Sequence, residues 1–111
     1  MSAITTHVLD TAAGSPASGV PVRLELLDGE PPTILGDGRT DVDGRIADLG
    51  PDRAETGTYR LRFDTAAYFA STGSDGFYPE VVISFAVRDP DQHYHVPLLL
   101  SPFGYSTYRG S

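Results

Sequence analysis

The sequence lacks cysteine and lysine, and it has no long apolar run. Without cysteine the chain cannot form disulfides, use a thiol nucleophile or bind a metal through thiolates. All eight basic residues are arginine, so Schiff-base chemistry on a lysine is excluded. No apolar run approaches the roughly 20 residues of a membrane-spanning helix, and the opening letters MSAITTHV lack a basic segment followed by a hydrophobic one. We therefore expect a cytoplasmic protein with no membrane partner.

The charge of the chain is strongly negative. Fifteen acidic residues against eight basic ones give a formal net charge of −7. Each contact with a phosphate needs a local cation, so nucleic acid is an unfavourable partner. A chain of 111 residues can bury about two-thirds of its unfolded surface, which is enough for one core. No repeat, linker or low-complexity tract divides it, and we expect a single domain over residues 1–111.

Alternation of apolar and polar residues predicts a β-protein. Residues 20–26 and 58–64 both show period two, which is typical of half-buried strands. Clusters of Gly, Pro and Asp separate the extended segments. The predicted strands cover residues 4–11, 20–26, 33–35, 46–49, 58–64, 80–88, 93–100 and 105–109. A short helix is expected over residues 64–72, DTAAYFAST, because the segment begins with possible N-cap residues. This pattern indicates an all-β sandwich.

Three histidines are candidate proton-transfer groups, because imidazole titrates near neutral pH. In ITTHVLD, His7 points away from the core if Val8 points into it. In HYHVPLLL, His93 and His95 share one strand face. Apolar residues occupy both faces of that strand, which indicates that another subunit covers the outward face.

Other interpretations of these segments stay open. Two imidazoles on one strand face can hold Zn²⁺ with His7 as a third ligand, but no fourth ligand is evident. Each histidine could also be an ordinary surface residue. No G-x-S-x-G elbow, P-loop or dinucleotide motif is present. TDVDGRI, residues 40–46, does not have the spacing of an EF-hand; we interpret it as a turn that delivers Arg45 to the head of a strand.

Four segments together resemble a known family. ITTHVLDTAAGSPASGVPVRLE, TDVDGRI, SDGFYPEVVISF and HYHVPLLLSPFGYSTYRGS are similar to the transthyretin-like family in its 5-hydroxyisourate hydrolase branch. The resemblance extends over nearly the whole chain. TDVDGRI alone is a weak signal. The specific signal is HYHVPLLLSP followed by a final Tyr-Arg-Gly-Ser, because that tetrapeptide marks the hydrolase branch and the hormone-carrying branch lacks it.

The resemblance implies a transthyretin-like (prealbumin-like) β-sandwich of about eight strands with one short helix. It implies a homotetramer, a dimer of dimers, with active sites in a channel between subunits. The implied reaction is hydrolysis of 5-hydroxyisourate to 2-oxo-4-hydroxy-4-carboxy-5-ureidoimidazoline (OHCU), on the way from urate to allantoin. The family needs neither a cofactor nor a metal.

The resemblance also assigns site residues. Its catalytic residues correspond to His7, Arg45 and His95, and its substrate-binding residues correspond to His7, Arg45, Tyr108, Arg109, Gly110 and Ser111. One histidine would activate water while the other donates or orients a proton, and the sequence does not assign which does which. The arginines would hold the polar ring and stabilise the oxyanion, with the C-terminal tail as a wall of the site. His93 matches the family pattern without an assigned role.

Two other functions are compatible with the same fold. The first is a carrier that holds a small aromatic ligand in the intersubunit channel without chemistry. The carrier branch has Lys in place of His7 and lacks the closing tetrapeptide, so the sequence favours the enzyme. The second is a structural sandwich module of a larger enzyme.

Overall fold

The computed structural model describes residues 2–111, which form eight strands and one helix. The elements are β1 (Ile4–Asp10), β2 (Ser15–Pro16), β3 (Pro21–Leu26), β4 (Thr33–Arg39), β5 (Gly57–Phe63), α1 (Thr65–Thr72), β6 (Val81–Val87), β7 (Tyr94–Ser101) and β8 (Gly104–Thr107). One sheet has the order β2-β1-β7-β8 and the other has the order β4-β3-β5-β6. The predicted β-sandwich with one short helix is therefore confirmed.

The first sheet is organised by a parallel pairing between β1 and β7. All other strand pairs in the two sheets are antiparallel. The register places Thr5 opposite His95, and His7 opposite Pro97. Two segments ninety residues apart in sequence thus lie side by side, and their outward-facing side chains share one surface.

The core lies on the inward faces of both sheets. β1 alternates strictly between buried and half-buried residues, with Val8 fully buried and His7 half-buried. The predicted outward direction of His7 is therefore confirmed. Both sheets contribute to one buried cluster, whose largest fully buried side chains include Ile4, Leu24, Tyr59, Leu61, Phe63, Leu98 and Leu100. Burial of this apolar surface holds the sandwich together.

The helix α1 is capped at both ends and fastened to β1. Asp64 accepts a hydrogen bond from the Ala67 amide at 3.0 Å, and Gly73 ends the helix in the left-handed conformation. The Tyr68 hydroxyl donates to Oδ2 of the buried Asp10 at 2.7 Å. Burial and this carboxylate raise the pKa of Tyr68 to about 12. The hydroxyl therefore stays protonated and fixes the helix against the end of β1.

Two sequence predictions about strands are wrong. Residues 46–49 do not form a strand; Arg45 makes only an isolated bridge with His7, so it is not delivered to the head of a strand. Leu49 is nevertheless buried, and its amide donates to Oγ of Ser2 at 3.0 Å rather than to a neighbouring strand. Between the predicted strands over residues 4–11 and 20–26, where no strand is expected, Ser15–Pro16 forms a two-residue edge strand on β1.

The remaining boundaries differ by smaller amounts. β4 continues to Arg39 instead of ending at residue 35, because it pairs along the whole of β3. β8 ends at Thr107, before the predicted limit at residue 109. Residues 2–111 contain no helix that is both long and apolar enough to cross a membrane.

Candidate active site

The pairing of β1 with β7 brings polar side chains together on the outer face of the first sheet. Oγ1 of Thr5 lies 2.8 Å from Nδ1 of His95 and 2.7 Å from Nε2 of His93. Thr5 and His95 are half-buried, while His93 is exposed. One hydroxyl group therefore bridges two imidazole rings on the outer face of the first sheet.

A tight turn brings Arg45 to the same surface. Oδ1 of Asp41 accepts from the amides of Asp43 and Arg45 at 2.9 and 3.0 Å, which closes the turn. Gly44 follows with a φ of +77°, and its carbonyl accepts the Val8 amide at 2.8 Å. A Cβ on Gly44 would collide with the Val8 carbonyl oxygen. The glycine thus allows the turn to lie directly on β1.

The C-terminal tail folds back on His95. The amide of Gly110 donates to the carbonyl of His95 at 2.8 Å, and the two residues form an isolated antiparallel bridge. A Cβ on Gly110 would lie 2.5 Å from Cδ2 of the His95 ring, far inside van der Waals contact. The absence of a side chain therefore lets the tail pack on the imidazole, and it carries Ser111 into the site.

Tyr108 and Arg109, the first two residues of the closing Tyr-Arg-Gly-Ser, do not line the cleft in this single chain. The Arg109 guanidinium donates to Oε1 of Gln92 at 2.9 Å and stacks 4.6 Å above the ring centre of Tyr94. The Tyr108 side chain is 57% exposed. Arg109 thus fastens the tail beside the site, and Gly110 and Ser111 are the tail residues that reach the imidazole and the cleft.

These groups surround a shallow cleft of about 280 Å³. Its lining residues are Thr5, Thr6, Arg45, Ile46, His93, His95 and Ser111. His7 is adjacent, since it shares a strand face with Thr5 and bridges to Arg45. Sequence reasoning missed Thr5: its position on the His7 face was visible, but the pairing that puts it opposite His95 was not.

A larger cleft of about 640 Å³ lies on the second sheet. Two of its arginines are paired with carboxylates: Arg23 with Asp37 at 2.8 Å and Arg62 with Glu80 at 2.9 Å. Among residues 2–111, neither the third arginine of this cleft, Arg39, nor Arg45 of the smaller cleft forms an ion pair with a carboxylate, but only the smaller cleft also contains imidazoles. The smaller cleft therefore combines imidazoles with a cation available to a ligand, and it is the better candidate for chemistry.

The His95 ring has a pKa below the ordinary histidine value of 6.5. Burial is the main cause, and the positive charge of Arg45 adds to it, followed by the charges of His7 and His93. The ring is consequently neutral at pH 7. A neutral imidazole can accept a proton, as a general base must.

No group of three or more His, Asp or Glu side chains within residues 2–111 is arranged to hold a metal ion. The two histidines of the H-x-H motif are instead engaged by the Thr5 hydroxyl. The zinc interpretation left open by the sequence therefore gains no geometric support from this part of the chain.

We predict that NMR titration of the histidine rings finds His95 with a pKa below 6.5. Because folding lowers this pKa, the folded state binds fewer protons, and stability is lost as the pH falls from 6.5 towards the folded pKa. Arg45→Gln should raise the pKa by removing a nearby cation. Arg23→Gln removes a cation from the second sheet and should leave it unchanged. A pKa of His95 at or above 6.5 in the unmodified protein would contradict this picture.

Known proteins resemble the chain over almost its full length. The model of the HIUase/Transthyretin family matches residues 4–110. The 5-hydroxyisourate hydrolase of Caulobacter vibrioides is 51% identical, with all of both chains covered. Among solved structures, Klebsiella pneumoniae 5-hydroxyisourate hydrolase is 37% identical with a TM-score of 0.86, covering 97% of this chain and 98% of that one. Transthyretin from Sparus aurata is 32% identical with a TM-score of 0.90, covering 99% and 97%.

These matches, which extend over almost the whole chain, confirm the family resemblance found in the sequence. The chain belongs to the HIUase/Transthyretin family.

Proposed function

We propose that the protein is an enzyme that hydrolyses 5-hydroxyisourate to OHCU in the degradation of urate to allantoin. The observation that carries this proposal is the meeting of Arg45, His95 and Ser111 at one cleft, in a chain 51% identical to a hydrolase of that name. The substrate is a small polar heterocycle, which suits a cleft of about 280 Å³ whose lining includes imidazole, hydroxyl and guanidinium groups. Residues 1–111 act as one domain, in the cytoplasm, without a metal or cofactor.

The reaction consumes one water and opens the six-membered ring. A water oxygen adds to a ring carbonyl carbon while its proton passes to an imidazole. The tetrahedral intermediate then collapses, the carbon–nitrogen bond of the ring breaks, and a proton is delivered to the departing nitrogen. His7 and His95 share the roles of proton acceptor and proton donor. Such acid–base assistance contributes roughly 10²- to 10⁴-fold in rate.

Arg45 stabilises the charge that develops on the carbonyl oxygen. Its turn is fixed by the Asp41 carboxylate, and no ion pair with residues 2–111 holds the guanidinium. It is therefore free to form hydrogen bonds to the oxyanion or to the ring substituents of the substrate. Loss of one oxyanion donor costs about 2.7 to 4 kcal/mol in well-studied enzymes.

The C-terminal tail forms a wall of the site. Gly110 allows the backbone to contact the His95 ring, and Ser111 lines the cleft beside it. Arg109 supports this wall through its contacts with Tyr94 and Gln92. Substrate binding by Tyr108 and by the Arg109 guanidinium, expected from the family, remains a prediction that needs the assembled protein.

The active assembly is a homotetramer, a dimer of dimers. Its support is the outer face of the first sheet, where Leu9 and Leu99 lie only half-buried beside the cleft. A second copy facing this surface would cover these residues and exclude water from the site. We predict a mass of four chains, about 48 kDa, from the 11.9 kDa of one, in sedimentation velocity at micromolar concentration. A monomer that hydrolyses the substrate at full rate would contradict this proposal.

The hydrolase proposal is tested by the ultraviolet decay of freshly made 5-hydroxyisourate. We expect the protein to accelerate the decay, and we expect His7→Asn and His95→Asn to lower kcat roughly 10²- to 10⁴-fold. Arg45→Ala should lower kcat roughly 10²- to 10³-fold, whereas Arg23→Ala on the second sheet should not. A non-catalytic carrier would leave the spontaneous decay unchanged, and that result would reject the proposal.

A separate prediction concerns the glycine beneath the catalytic imidazole. Gly110→Ala places a Cβ at 2.5 Å from Cδ2 of His95, so either the ring or the tail must move. We expect a loss of kcat of at least about tenfold, since a displacement of about 1 Å can cost 10²-fold. The melting temperature should change little because Gly110 is not part of the hydrophobic core. Gly29→Ala, which meets no atom within 4 Å, is the matched control. Full activity in Gly110→Ala would show that His95 need not hold this position.

A further inference from the structure

We propose that Thr5 is a positioning residue whose hydroxyl links His93 to His95 and keeps the proton of neutral His95 on Nδ1. This inference rests on the proposed hydrolase function for its kinetic consequence only. The arrangement leaves an unprotonated Nε2 on His95. That nitrogen is then ready to accept a hydrogen bond or a proton in the cleft.

The position of Thr5 follows from the strand register. Thr5 lies directly opposite His95 in the parallel pairing of β1 and β7, and His93 precedes the start of β7 by one residue. The distances from Oγ1 are 2.8 Å to Nδ1 of His95 and 2.7 Å to Nε2 of His93, both within ordinary hydrogen-bond range. The two imidazoles and the hydroxyl therefore form a continuous hydrogen-bonded chain.

A hydroxyl group has a single proton to donate, which limits how this hydrogen-bonded chain can be arranged. Thr5 has one O–H proton, so it can donate to only one of the two ring nitrogens, and the other must donate an N–H to it. At least one of the two histidines therefore carries its proton on the nitrogen that faces Thr5. The protonation of His93 and the tautomer of His95 become linked through a single side chain.

Of the two arrangements that the distances allow, our proposal takes the one in which His95 donates to Thr5. Its imidazole is also influenced by a hydrogen bond with the Thr5 backbone, which stabilises a protonated ring nitrogen. Nδ1 is the ring nitrogen of His95 that lies beside the Thr5 hydroxyl, at 2.8 Å, so the proposal places this proton on Nδ1. The Thr5 hydroxyl is then free to donate its own proton to Nε2 of His93. Such partners behind a functional imidazole commonly fix its tautomer and orientation.

A second contact fixes the ring from its opposite edge. Gly110 packs against Cδ2 of His95, while Thr5 holds Nδ1. These two contacts leave Nε2 and Cε1 as the ring atoms that neither neighbour engages. The imidazole is thus held in one orientation by a hydroxyl on one side and a bare backbone on the other.

The neighbouring threonine shows that this arrangement is particular to Thr5. Thr6 is buried, and its hydroxyl donates to the Val96 carbonyl at 2.7 Å in the interior of the sheet. Its hydrogen bond joins backbone to side chain and contacts no titratable group. The threonine hydroxyl therefore binds a backbone carbonyl at position 6, whereas at position 5 it contacts two histidine rings.

The first test uses Thr5→Val, which keeps the shape of the side chain and removes the hydroxyl. We expect kcat to fall about 10- to 100-fold, the range known for partners that orient metal-bound histidines, with a smaller change in KM. Thr5→Ser retains the hydroxyl and should recover most of the activity. Thr107→Val, which removes a hydroxyl that donates to the Pro97 carbonyl, is the control and should leave kcat unchanged. A kcat in Thr5→Val within twofold of the unmodified protein would overturn the proposal.

The second test reads the tautomer directly and needs no substrate. ¹⁵N NMR of the full chain at a pH where His95 is neutral should show a protonated Nδ1 and an unprotonated Nε2. Thr5→Val should shift the population towards Nε2–H, and Thr5→Ser should not. Nε2–H as the dominant form in the unmodified protein would overturn the proposal, whether or not the protein hydrolyses 5-hydroxyisourate. If the protein does not accelerate the decay of that compound, only the proposed function fails.

Discussion

The parallel hydrogen bonding between β1 and β7 is the interaction on which the site depends. In a parallel ladder, residues on one face of each strand stay in step along the whole pairing. Thr5 consequently lies opposite His95 and His7 lies opposite Pro97. A slip of one residue would turn every one of these side chains towards the core. Because Val8 and Leu98 are fully buried on the opposite face, core packing fixes the register that holds the imidazoles together.

Two glycines complete the site by allowing other backbone segments to approach this pair of strands. Gly44 lets the Arg45 turn lie on β1, and Gly110 lets the tail lie on His95. Any side chain at either position would meet a backbone oxygen or an imidazole ring. Arg45 and Ser111 are therefore placed beside the histidines by the close backbone contacts of the glycines that precede them.

The sequence could predict the parts of the fold that depend on local pattern. Alternation in β3 and β5, the capped helix α1 and the outward direction of His7 all follow from residue type and spacing. The sequence could not predict that residues 46–49 remain irregular, because the partner of Leu49 is the distant Ser2. Thr5 was missed for the same reason: its role depends on a pairing between segments ninety residues apart. The placement of Arg109 depends on Tyr94 and Gln92, which lie outside the tail motif.

The cleft contains the positively charged Arg45, although the whole chain is negatively charged. The protein carries a formal net charge of −7, and Arg23 and Arg62 of the second sheet are paired with carboxylates at 2.8 and 2.9 Å. Arg45 has no such partner within residues 2–111, so its charge acts on the cleft. Burial lowers the pKa of the half-buried His95, and the charge of Arg45 lowers it further, which favours the neutral imidazole. In the proposed reaction this cation attracts the electron-rich oxygens of the substrate ring, and together with burial it favours an imidazole that can accept a proton.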